Sequence, residues 1–119
     1  MTIVKMQESH VRQIAELEKL CFHDPWSENS IASELCNRLS LWFVAEVDGS
    51  VVGYVGSQTV LGETDMMNVA THPDYRKQGI ARALINTLVA ALAEQGSHSL
   101  MLEVRVSNAQ AIRIYEKFD

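Results

Sequence analysis

Thr71-His72-Pro73-Asp74-Tyr75-Arg76-Lys77-Gln78-Gly79-Ile80-Ala81-Arg82-Ala83-Leu84 is the stretch that decides the fold. It joins an extended apolar segment to an amphipathic helix through a short polar loop. Pro73 has no N–H to give a sheet ladder, so the strand expected from about Thr64 to Thr71 must stop beside it. From Ile80 the apolar positions Leu84, Leu88 and Leu92 recur every four residues, and Gly96 suits the position just past a helix end. A glycine at the head of such a helix lets successive main-chain N–H groups face one concavity, where the helix dipole adds partial positive charge. Arg76, Lys77 and Arg82 concentrate cationic side chains there, in a chain with 10 Lys+Arg against 15 Asp+Glu. A diphosphate is the ligand this arrangement suits, with Arg76, Lys77, Gln78, Gly79, Ile80 and Ala81 as its candidate contacts. By spacing alone, a plain strand-to-helix turn with solvated charges is the simpler reading. Neither GxxxxGK[ST] nor GxGxxG occurs, so nucleotide hydrolysis and dinucleotide binding lack support.

Outward from this stretch, Leu100, Leu102, Val104 and Val106 alternate with Met101, Glu103 and Arg105, the period of a strand. A last helix is expected after Ser107-Asn108, carrying Ala109, Ile112 and Tyr115. On the N-terminal side, Leu41 to Val47 and Val51 to Gln58 flank Asp48-Gly49, a hairpin signal. Val11, Ile14, Leu17 and Cys21 predict a first helix from about Ser9 to Cys21. After the turn at His23-Asp24-Pro25, Ile31, Leu35 and Leu39 mark a second helix with Ser27 as N-cap. The order α-α-β-β-β-α-β-α makes an α+β fold, a mixed central sheet flanked by helices on both sides, with residues 1–119 read as one domain.

The 119 residues are 47% hydrophobic and 21% charged, ordinary values for a globular chain and not for a disordered one. The net charge of -5 argues against a general nucleic-acid binder and is compatible with a positively charged acceptor. Asp24, Glu28, Glu63 and Asp65 are acidic positions that such an acceptor would meet, although a solvated face is the simpler reading of each. No apolar run approaches the roughly 18 residues that cross a bilayer, and the N-terminus lacks a basic start followed by an apolar stretch, so a cytoplasmic protein is expected. Cys21 and Cys36 match no redox or zinc spacing, and His10, His23, His72 and His98 are scattered, so no metal is expected.

Three further residues have plain structural readings. Glu103 is a general base in a cleft or an outward carboxylate beside Arg105. Tyr115 has a half-buried core aromatic as its plain reading, and Asn108 an N-cap. No GxSxG elbow or Cys–His signature organises a nucleophile, so a covalent acyl-enzyme is not indicated.

Met67-Asn68-Val69-Ala70-Thr71-His72-Pro73, then Tyr75-Arg76-Lys77-Gln78-Gly79-Ile80-Ala81, then Leu102-Glu103-Val104-Arg105-Val106-Ser107-Asn108 with Ala111 and Tyr115-Glu116-Lys117 together resemble the GCN5-related N-acetyltransferase (GNAT) superfamily. Arg76-x-x-Gly79-x-Ala81 matches the family's (Gln/Arg)-x-x-Gly-x-(Gly/Ala) signature. Pro25-Trp26-Ser27 and Leu-Glu-Val-Arg-x-Ser-Asn are most similar to the RimI type, which acetylates the N-terminal alanine of a small-subunit ribosomal protein. The resemblance implies acetyl-CoA as co-substrate and the N-terminal peptide of a ribosomal protein as partner, with neither nucleic acid nor membrane. It implies that Val69, Ala70 and Thr71 offer strand backbone to the pantetheine arm. Arg76 through Ala81 would hold the pyrophosphate, with Asn108 contacting the cofactor further along. Glu103 would be the base and Tyr115 the acid. Two alternatives are a lysine or polyamine N-acetyltransferase and a non-catalytic acyl-CoA-binding module. The pattern of the family continues beyond Tyr115-Glu116-Lys117 with a glycine and two more strands. Here Phe118-Asp119 follows, so those strands are expected to be missing and the chain to be a monomer or a weak homodimer.

Overall fold

The computed structural model describes residues 1–97, 99–105 and 111–117. Six strands form one sheet in sequential order, β1 to β6. Asp48-Gly49 makes the tight turn between β2 (Ser40–Val47) and β3 (Ser50–Val60), with φ of 51° and 80° at the two turn residues. Both central residues at positive φ give the turn whose twist matches that of the paired strands. β4 (Glu63–Thr71) returns antiparallel to β3. A single 3-10 turn, Pro73–Tyr75, is capped by the His72 side chain, which accepts from the Asp74 N–H at 3.1 Å. The loop then enters α3 (Ile80–Glu94), which crosses over so that β5 (Ser99–Arg105) lies parallel to β4.

Alternation along the strands sorts the apolar side chains onto two faces. Trp42, Val44, Tyr54 and Ala70 face α1 (Val11–Cys21) and α2 (Glu28–Glu34), where they form one core with Ile14, Leu17, Cys21 and Ile31. Phe43, Ala45, Val52, Val55, Met66 and Val69 face the other way, against Ile80, Leu84, Leu88 and Leu92 of α3. Burial on both faces explains why Leu41 to Val47 reads as a nearly unbroken apolar run. The expected class, α+β with helices on both sides of a mixed sheet, is the observed one.

Three elements differ from expectation. A short strand, β1 (Thr2–Lys5), pairs antiparallel with β2; four residues are too few for a periodic signal. The second helix stops at Glu34, and Leu39 is 49% exposed in a turn where the Asn37 side chain accepts from its N–H at 3.0 Å. Such an Asx contact offers the backbone an alternative to the helix. The last element is a correction: residues 111–117, expected as a helix containing Tyr115, form strand β6 (Ala111–Lys117), antiparallel to β5. Ala111-Ile112-Arg113-Ile114-Tyr115 alternates as well as it fits a helical stripe, and β5 supplies an edge whose backbone groups need partners. The observed order therefore begins with a strand and ends with one.

Candidate functional site

β4 and β5 run side by side for only four positions, Glu63 opposite Ser99 through Met66 opposite Leu102. Beyond that point β4 continues to Thr71 and β5 to Arg105 without pairing, so the two parallel strands open toward their carboxyl ends. The opening starts beside a bulge: Gly56 pairs with Asn68 and Ser57 with Met66, which leaves Met67 as the extra residue of β4. A bulge bends its strand and re-aims the residues that follow.

The backbone on the open side can be assigned. His72 N–H donates to the Val52 carbonyl at 2.7 Å, so the His72–Val52 pair is hydrogen-bonded across β3 and β4. Antiparallel ladders alternate, so the N–H and C=O groups of Val69 and Thr71 point away from β3. Thr71 C=O is accordingly met from elsewhere, by Arg76 Nε at 3.4 Å and the Cys21 thiol at 3.6 Å. Val69 and Thr71 thus line the opening with main chain, whereas Ala70 is turned toward β3.

The glycine loop lies at this same end of the sheet. Gly79 caps α3 with φ 80°, and Lys77 also has positive φ, at 64°. No side chain caps the first turn of the 15-residue α3, and a Cβ on Gly79 would meet nothing within 4 Å. The result is an exposed cradle of main-chain amides at the positive end of a helix, open to an anion. Lys77, Gln78 and Arg82 are exposed around it, Ala81 is half-buried, and Ile80 is buried in the core beneath. The Arg76 guanidinium is spent differently: besides Thr71, its Nη2 donates to Cys21 Sγ at 3.7 Å. Burial pushes the Cys21 thiol above its ordinary range, an effect that the neighbouring Arg76 partly offsets.

Of the remaining expected site residues, Glu103 is the first position of β5 past its last pair with β4, at the mouth of the opening. Tyr115 is opposite Met101 and Arg113 opposite Glu103, so Tyr115 is placed on β6, near the expected base in register. Asn108 lies outside the described residues. No group of three or more metal-ligating side chains occurs among the described residues. No helix among them is long and apolar enough to cross a membrane.

The structure adds a polar centre that the sequence reading missed. Glu18, 1% exposed on α1, accepts from the Trp26 N–H at 2.8 Å and from the Tyr54 hydroxyl and the Asn68 amide. Its sequence signal is an acidic residue four after Ile14 and three before Cys21, on the stripe that faces the core. Trp26 packs edge-on against Trp42 at 5.6 Å, and Trp42 stacks on Tyr54 at 5.9 Å. On the solvent side of this cluster, Asp24, Pro25, Trp26, Ser27 and Ser30 line an open pocket of about 450 Å³.

Comparison with known proteins follows the same lines. The family described as Acetyltransferase (GNAT) matches residues 11–119. The [ribosomal protein bS18]-alanine N-acetyltransferase of Escherichia coli K12 is 36% identical over 115 residues, which cover 97% of this chain and 77% of that protein. The crystal structure of the ribosomal-protein-S18-alanine N-acetyltransferase from Escherichia coli superposes with a TM-score of 0.80 at 34% identity, covering 91% of this chain and 69% of that one. An aminoglycoside 6'-N-acetyltransferase complexed with coenzyme A shares the fold, with a TM-score of 0.77 at 19% identity, covering 87% of this chain and 61% of that one.

Proposed function

Because the chain belongs to the GNAT family of acetyltransferases, which use acetyl-CoA, we propose that it acetylates the α-amine of a peptide, of the type presented by the N-terminal alanine of a small-subunit ribosomal protein. The observation that carries the reading is the join of two features at one end of the sheet. The amide cradle at Gly79 meets an opening between β4 and β5 that has Glu103 at its mouth.

The residues present fit the coenzyme. The uncapped first turn of α3 and the positive-φ loop suit a diphosphate, with Lys77 and Arg82 adding charge. Arg76 has a different part in this reading: its guanidinium braces the end of β4 and its own N–H donates to the Pro73 carbonyl at 3.5 Å, so the cradle's amides begin at Lys77. The Val69 C=O and the Thr71 N–H are offered along the opening to the amides of an extended pantetheine arm, as a strand would offer them, while the Thr71 C=O is already taken by Arg76 and Cys21. The bound thioester supplies an acyl donor that is already activated.

Glu103 answers the main chemical difficulty. A peptide α-amine has a pKa of about 8, so near neutral pH most of it is protonated and cannot attack. A carboxylate at the mouth of the opening takes that proton, directly or through a water. In this reading the outward N–H of Val69 stabilises the charge that develops on the acyl oxygen. A phenol with pKa about 10 facing a thiol of about 8.5 makes full proton transfer from Tyr115 uphill by roughly 2 kcal/mol in water, so its part is a hydrogen bond to the leaving sulfur. The acceptor enters from the pocket of Asp24, Trp26 and Ser30, whose carboxylate suits an approaching ammonium.

The test is acetyl-CoA consumption with a peptide beginning Ala-Arg, against spermidine and against no acceptor. Glu103→Gln should bind coenzyme A as the wild type does and lose about 100-fold in kcat/KM at pH 7, with the deficit largest at low pH, where the amine most needs a base. Preference for spermidine would overturn the peptide assignment. Coenzyme binding without turnover on any amine would overturn the enzymatic one.

A further inference from the structure

Glu18 has no part in the chemistry just described, yet it is a carboxylate held almost entirely out of water. Burying one without partners costs several kcal/mol, and here three donors meet it from three parts of the chain. The Trp26 N–H comes from the loop between α1 and α2, at 2.8 Å. The Tyr54 hydroxyl comes from β3, and the Asn68 amide from the β4 residue next to the bulged Met67. Facing Asn68 Nδ2 toward the carboxylate leaves Asn68 Oδ1 buried with no partner among the described residues. Leaving a buried acceptor unpaired is unfavourable, so the amide orientation is imposed by Glu18 against a local penalty.

We propose that Glu18 is a positioning residue: its carboxylate fastens the pocket-lining loop at Trp26 to strands β3 and β4 beside the bulge, and so sets the acceptor pocket against the opening. The proposal rests on the reading of that pocket as the acceptor's entrance. Trp26 is the shared part, since its N–H bonds Glu18, its ring leans on Trp42, and it lines the pocket. With the carboxylate removed, the ring contact still holds the loop near the sheet but no longer fixes its height against Asn68. A substitution should then weaken acceptor binding while leaving the coenzyme cradle, on the α3 side, as it was.

Glu18→Met keeps the length of the side chain and removes both acceptors. Its KM for the Ala-Arg peptide should rise about tenfold, with KM for acetyl-CoA within twofold of wild type. Amide exchange at Trp26 should quicken by about tenfold relative to amides in α3. Glu18→Gln retains an acceptor for Trp26, and Asn68 can flip to meet its amide, so this variant should return both values most of the way to wild type. A merely structural role would lower stability and leave the two KM values unsplit. If the Met variant does not fold, Tyr54→Phe, which deletes one donor, should give the same pattern at about threefold. Unchanged exchange at Trp26, or KM values that rise together, overturns the proposal. Should the wild type turn over no amine, the acetyltransfer reading fails separately, and exchange at Trp26 still decides whether Glu18 holds the loop.

Discussion

The cradle at Gly79 and the polar centre at Glu18 flank the same strand, β4, and are built on opposite principles. The cradle is main chain from consecutive residues, Lys77 to Ala81, and presents N–H groups without a side-chain cap at the positive end of a helix dipole. The Glu18 centre joins buried side chains of α1, β3 and β4 to one main-chain N–H of the following loop, with partners up to 50 residues apart. An exposed cradle can be altered with little effect on folding, because almost nothing rests on it. A buried centre cannot, because the core stands on it. The two halves of the site should therefore fail differently: a change in the cradle weakens coenzyme binding with little loss of stability, whereas a change in the buried centre costs stability as well as acceptor binding.

Gly56 offers the largest test of that difference. It pairs with Asn68 across β3 and β4, and a Cβ there would lie 2.4 Å from the Trp42 indole. The ring has no room to yield, since it is 4% exposed and held between Trp26 and Tyr54. Gly56→Ala should cost about 3 kcal/mol in urea denaturation, at the upper end of the range for overpacked cores. A loss under 1 kcal/mol would show that this core adapts, and would erase the contrast. Gly79→Ala is the smaller counterpart. Open space surrounds the position, so the cost is the left-handed backbone alone, about 1 kcal/mol. Calorimetry with coenzyme A should show affinity falling about fivefold or more as the cradle distorts. Stability lost with coenzyme affinity intact would mean that the cradle is not where the diphosphate sits.

The same contrast explains what could be read from the letters. The cradle was legible because its parts are neighbours: Pro73 ends a strand, Gly79 starts a helix, and the cations fall between them. The hairpin at Asp48-Gly49 was legible for the same reason. Glu18 was not, because a carboxylate on an apolar stripe shows only that something must pair with it, and its partners at 26, 54 and 68 meet it only after the sheet has formed. The β4–β5 opening was hidden too, since the end of pairing at Met66 and Leu102 depends on a bulge between strands that no periodicity reports. Residues 111–117 were misread because a seven-residue segment with Ile112, Ile114 and Tyr115 satisfies both periods, and the free edge of β5 decided between them.

Cys21 lies where the two halves touch, and gives the smallest and most local test. It sits on α1, three residues after Glu18, with its sulfur 3.7 Å from the Arg76 guanidinium of the cradle loop. The two halves pull its acidity in opposite directions: burial disfavours the thiolate and raises the pKa from 9.0, while the cation lowers it. Burial is the larger effect, so Cys21 should hold its proton through pH 9. Alkylation at Cys21, followed by peptide mass mapping so that exposed Cys36 is scored separately, should be slow at pH 7. Its rate should still climb by about tenfold per pH unit as pH 9 is approached, because only the thiolate reacts. A rate that levels off below pH 8 would reverse the ranking. It would mean that Arg76 governs this junction, and that the exposed half of the site reaches further into the core than its geometry indicates.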